Sequence, residues 1–146
     1  MYYDLSKIIK GEYYMSRKLR VIHFHKDDNN YIHVDAIMIE PKLESYQKLV
    51  GGLIELTYPF GDKPYCVVCN DEGKLLNLPP LVVLTYEGGG EDVICGDFFI
   101  AKLCQTDEGE DFTSISPKEA LPLIRKHIRA YRGEHIDITY KIFPVD

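Results

Sequence analysis

Two runs constrain this chain more than anything else in it. RVIHFH at 20–25 and YIHVDAIMIE at 31–40 alternate apolar and polar side chains, and the KDDNN between them is turn chemistry. Alternation at period two puts one row of side chains on each face of a strand, so the pair predicts an antiparallel hairpin. More extended runs come after it: LIELTYPF at 53–60, YCVVCN at 65–70, LVVLTYE at 81–87 and DVICGDFFIAKL at 92–103. Gly96 in the middle of the last marks a bulge or a close approach of backbone, and Gly88, Gly89 and Gly90 read as a hairpin turn. HIDITYKIF at 135–143 is expected as a closing strand.

Two segments break the extended pattern. After Pro41, KLESYQKLV sets Leu43, Tyr46 and Val50 at helical spacing, with Gly51 placed to end the helix in a left-handed cap. SPKE at 116–119 is a capping box with proline at the first helical position. It leads a helix with Leu121, Ile124 and Ile128 on one face, kinked at or starting from Pro122 and ended by Gly133. The fold class is therefore α+β: a single domain over 18–146, mainly antiparallel sheet with two helices packed on it. Residues 1–17 form a tyrosine-rich N-terminal arm with a short helical hint at 5–9. Its Tyr2, Tyr3, Tyr13 and Tyr14 predict self-association, because tyrosine is enriched at interfaces.

The chain has 146 residues, 45% of them hydrophobic, enough for one core that needs no disulfide or metal to fold. A net charge of −6 argues against nonspecific nucleic-acid binding and against anionic membranes, since both rest on Lys and Arg. The start lacks a signal-peptide pattern, and no apolar run reaches membrane-spanning length. The expected location is a reducing cytoplasm, where Cys66, Cys69, Cys95 and Cys104 are free thiols.

CVVC resembles a metal or redox pair, but residues i and i+3 of a strand point to opposite faces, so no metal is expected there. His23, His25 and His33 share one face of the hairpin, as a zinc site would begin, and read instead as a solvated face at a sheet edge. No Ser or Cys sits beside a His in a triad context, so no catalytic residue is assigned. Glu55 is the least ordinary carboxylate, placed among apolar residues after a double glycine. NDEG at 70–73 reads as a turn with Gly73 at positive φ, and Pro79 and Pro80 force an extended exit.

VGGLIEL at 50–56, VCNDEGKLLNLPP at 68–80, ICGDFFIA at 94–101 and GEDFTSIS at 109–116 occur in a familiar order and spacing. Together they resemble a family of small proteins of phages, prophages and conjugative elements known only as a domain of unknown function. The similarity covers about residues 18–128, and LESYQ at 43–47 fits it too. One departure is the Asn-Arg that relatives carry after Leu-Pro; here Leu81, Val82 and Val83 stand in that place.

The resemblance implies an accessory role in a mobile element and no chemistry. The leading expectation is a non-enzymatic binder with a counter-defence role, sequestering a nucleotide-derived signal or blocking a host protein, without a cofactor. The alternatives are a small enzyme on a nucleotide-like ligand, with Glu55, Asp71 or Asp97 as base, and an acidic nucleic-acid mimic. The expected ligand-binding residues are Gly52, Glu55, Asn70, Asp71, Gly73, Lys74, Gly96, Asp97 and Phe98. The glycines would open backbone N–H groups to a small anionic ligand, Lys74 would add charge, and Phe98 or Tyr65 would stack on a base.

Overall fold

The two alternating runs pair as expected. The computed structural model describes residues 18–132 and the backbone of residues 2–3, 15–16 and 135–137. Two short strands, β1 (Tyr2–Tyr3) and β2 (Met15–Ser16), pair with each other. β3 (Leu19–Lys26) and β4 (Tyr31–Ile39) form the hairpin in unbroken register, from Leu19 opposite Ile39 to Lys26 opposite Ile32. Asp27 closes its turn by accepting from the N–H groups of Asn29 and Tyr31. The helix α1 (Leu43–Val50) ends at Gly51, whose φ of 77° and N–H bond to Gln47 O make the expected left-handed cap.

The strands β5 (Ile54–Thr57), β6 (Tyr65–Asn70), β7 (Pro80–Thr85), β8 (Glu91–Cys95), β9 (Phe98–Thr106) and β10 (Gly109–Thr113) come next. Then come the helix α2 (Pro117–His127), β11 (Ile128–Ala130) and β12 (His135–Asp137). The larger sheet has the order β12-β4-β3-β9-β6-β5, with β10 also on β9; a smaller one runs β11-β7-β8. Pairing is antiparallel except where β12 lies parallel to β4. The chain is thus α+β and mainly antiparallel.

The larger sheet is buried on both faces. On one, Leu19, Val21, Cys66, Val68, Phe99 and Ala101 pack against Tyr46 and Val50 of α1. On the other, Ile22, Phe24, Val67, Phe98 and Ile100 meet Leu81, Val82, Leu84 and Ile94 of the small sheet and Ala120, Leu123 and Ile124 of α2. Cys66 and Cys69 fall in different layers, as strand alternation requires.

Several expectations are corrected. DVICGDFFIAKL is two strands in two sheets: Gly96, at φ 90°, turns the chain out of the small sheet and into the large one. LIELTYPF is extended only to Thr57, and Phe60 folds into the core. α2 starts at Pro117 with its capping box formed and runs through Pro122. The carbonyl that Pro122 leaves unbonded belongs to Lys118, an exposed residue open to water. Its buried face is Ala120, Leu123, Ile124 and His127, and Ile128 already belongs to β11. Gly133, most of the N-terminal arm with Tyr13 and Tyr14, and the chain beyond Asp137 lie outside the described residues. No helix among those described is long and apolar enough to cross a membrane.

Candidate functional site

β6 leaves the core at Asn70, and the turn beyond it depends on that side chain. Asn70 is buried; its Nδ2 donates to Val50 O at the end of α1 at 3.1 Å, and its Oδ1 accepts from Glu72 N–H at 2.8 Å. Gly52 makes room for it, since a Cβ there would stand 2.9 Å from Asn70 Nδ2. The double glycine and Asn70 therefore form one lock between helix end and turn. Gly73 is buried, and a Cβ on it would lie 2.5 Å from the carbonyl oxygen of Cys95. Close approach explains this glycine. The positive φ expected of it falls on Asn77, at 54°.

This locked turn and the edge of β8 enclose an open cleft of about 160 Å³. Glu55, Cys69, Asn70, Asp71, Gly73 and Lys74 line one side, and Asp92, Val93 and Cys95 the other. Five of the nine expected site residues thus converge here. Glu55 projects from β5, and its pKa is raised by the hydrogen bond its protonated carboxyl donates to Asp71, then by burial and the Asp71 charge. Lys74 Nζ is held by Asp92 Oδ1 at 2.7 Å, and that bond raises its pKa. With Glu72, the cleft carries four carboxylates against one ammonium. Burial pushes the Cys69 thiol up to about 12, so it supplies no thiolate near neutral pH.

The remaining expected residues lie elsewhere. Gly52 supports Asn70 from behind. Gly96 and Asp97 line a separate groove of about 330 Å³ with Lys26, Lys48 and Leu78, where Asp97 Oδ1 accepts from Lys26 N–H at 3.2 Å. Phe98 is fully buried and stacked on Phe24 with centroids 4.5 Å apart, so its ring is closed to any base. Tyr65 donates to Glu119 at 2.8 Å on the α2 side. The expected backbone anion cradle does not form either. Gly52 N–H goes to Gln47 O, Gly73 N–H to Asn70 O and Gly96 N–H to Pro79 O.

The three hairpin histidines do share a face, stacked with centroids 5.0 and 5.4 Å apart. Their Nε2 atoms face Leu49 O at 3.4 Å, Asp35 at 2.5 Å and Asp27 at 2.5 Å. Burial, then the neighbouring His25, lowers the His23 pKa. Among the described residues no group of three or more His, Cys, Asp or Glu is arranged to hold a metal ion.

Sequence reasoning missed Asp92, Val93 and the apolar rim. Leu75 on the cleft wall is 81% exposed, Leu53 56% and Leu76 54%. Leu53 O accepts from Asp71 N–H and Leu76 N–H donates to Glu72 O, so all three leucines belong to the segments that build the cleft. The signal available was LL inside a polar turn, where neither leucine has a core to enter.

A family model described as a domain of unknown function, DUF3846, matches residues 20–140 of the chain. No curated protein and no solved structure matches it.

Proposed function

The chain belongs to the DUF3846 family, a domain of unknown function, and within that family we propose that it is a non-enzymatic binder that blocks a host protein. The phage and mobile-element setting rests on the resemblance of its four motifs. One observation carries the binding mode: four carboxylates and the exposed Leu75 line one small open cleft, with exposed Leu53 and Leu76 on the segments that build it. Its roughly 160 Å³ falls below the range of about 300 to 1,000 Å³ typical of small-molecule sites. That is room for one long side chain rather than a nucleotide. Carboxylates repel phosphate, and Lys74 is already spent on Asp92. A guanidinium or ammonium, by contrast, would pair with the carboxylates of Glu55 and Asp71 through charge-assisted hydrogen bonds. The leucines supply the apolar contact that marks protein interfaces. This favours the host-protein branch over a nucleotide-derived ligand.

A second reading has one observation in its favour. A carboxyl whose pKa is raised by a neighbouring carboxylate, as that of Glu55 is by Asp71, is also a feature of general acids. A small enzyme acting on a nucleotide-like ligand would use it so.

Amide chemical shifts separate the two. Titration with N-acetyl-arginine amide is expected to move the signals of Glu55, Asp71, Lys74 and Asp92 in the wild type and not in Asp71→Lys. Adenosine monophosphate and inorganic pyrophosphate are expected to leave them in place. Shifts with the phosphates and none with the arginine amide would reverse the assignment.

A further inference from the structure

Among the described residues, no strand pairs with the edge of β8 that borders this cleft. Tyr86 N–H donates to Gly90 O at 3.0 Å, which sets the alternation of the ladder between β7 and β8. Leu84 with Asp92 and Val82 with Ile94 are then the bonded pairs, and Thr85 with Glu91 and Val83 with Val93 the non-bonded ones. Glu91 and Val93 accordingly turn their N–H and C=O groups away from β7, on the side where, among the described residues, β8 has no neighbouring strand in its sheet. Val93 N–H is closed by a side chain. Asp92 Oδ1 accepts it at 2.9 Å, and the same oxygen accepts from Lys74 Nζ. Further along, the carbonyl of Cys95 lies under Gly73.

We propose that the edge of β8 takes an extended segment of a partner protein as an added strand, with a Lys or Arg of that segment entering the cleft. The inference rests on the reading of the cleft as a site for a basic side chain. A row of outward backbone groups is a template for a further strand. Asp92 occupies that template until a main-chain carbonyl replaces it on Val93 N–H. Side chains of an added strand alternate in direction, so one residue reaches into the cleft toward Glu55, Asp71 and Leu75 while its two neighbours turn to the opposite face. The charge selects the occupant: Glu55, Asp71, Glu72 and Asp92 line the cleft, with Lys74 as the cation on its wall, while Glu91 on the same strand is paired with Arg129.

The probes are fluorescein-labelled heptapeptides of alternating Thr and Val around a central Arg, read by polarisation. Companions carry citrulline in place of Arg, or N-methyl groups on the flanking residues. The wild type is expected to bind the Arg peptide. Val93→Pro deletes the outward N–H without removing a ladder bond, and should weaken binding about tenfold, as loss of one hydrogen bond does. N-methylation should weaken it similarly with the protein unchanged, which covers the case of a Val93→Pro chain that fails to fold. Citrulline should also weaken it. If citrulline matters and neither backbone change does, strand addition is wrong and the cleft reading stands. If the backbone changes matter and citrulline does not, the edge docks a strand and the basic-cleft reading fails. If no peptide binds, strand addition by a basic segment is overturned; a wild-type dimer lost in Val93→Pro would then assign the edge to a second copy of the chain.

Discussion

Gly73 and Asn70 carry family-like motifs for reasons internal to the protein. Gly73→Ala would place a methyl group 2.5 Å from the carbonyl oxygen of Cys95, where backbone must move on one side or the other. Its expected cost is about 1–3 kcal/mol, seen as a lower denaturation midpoint at unchanged slope. Gly88→Ala, with open space around it, is the control expected to change little. Asn70→Ala belongs with Gly73, because it strands Val50 O and Glu72 N–H. Among the charged residues, Glu119 sets the acid limit. Burial pushes its pKa up, but donors from Lys102, Ser116 N–H and Tyr65 outweigh this and bring it down to about 2. A depressed carboxylate contributes stability that is fully present above its unfolded pKa, near 4.3, and lost as pH falls toward 2. Glu119→Gln should therefore lower stability at pH 7 and flatten its pH dependence between about 4.5 and 2, measured by urea unfolding across that range.

Elements were legible where local chemistry decided them. The first hairpin, the Gly51 cap and the Ser116 capping box depend on residues within a few positions of one another, and each formed as read. Reading failed where a distant layer decided the outcome. DVICGDFF is uninterrupted strand chemistry, and only the packing of Gly96 against Leu78 reveals that the chain changes sheets there. Likewise Asp92 enters the cleft through the fold, eighteen residues from the Lys74 it holds. Glu55 could be named in advance because it breaks apolar surroundings, and Asp71 and Lys74 because they stand in a polar turn within a family-like motif, whereas Phe98 looked available only until its neighbours were known. α2 gives a test at this scale. Pro122 survives in its interior because the capping box and the buried face of the helix already fix the backbone, yet it still forfeits the bond to Lys118 O. Pro122→Ala should stabilise the protein by roughly 1–2 kcal/mol, the helix-propensity gain less the entropy proline removed from the unfolded chain. A lower melting temperature for that variant would mean that the helix needs proline's fixed φ.

Taken whole, the molecule is one large sheet with a core on each face, and that arrangement poses a question of cooperativity. α1 covers one face with Tyr46 and Val50, while the small sheet and α2 cover the other. β6 and β9 are shared, since Val67 and Val68, like Phe98 and Phe99, point into opposite layers. Neither layer can open without exposing residues next in sequence to those that hold the other, so the two should melt as one unit. The cysteines report on this directly. Cys66 belongs to the α1 layer and Cys69 to the opposite one. Burial pushes both thiols up to about 12, so in the native state neither is ionised near neutral pH. Iodoacetamide labelling at pH 8 across a urea series, read by peptide mass spectrometry, should leave both untouched in the native range. Both should then become modified at a single midpoint that coincides with loss of secondary structure. If Cys69 reacts at lower urea than Cys66, the layer that carries the small sheet opens first. The cleft would then lie on the weaker half of the molecule, where a partner strand entering beside β8 meets the least resistance.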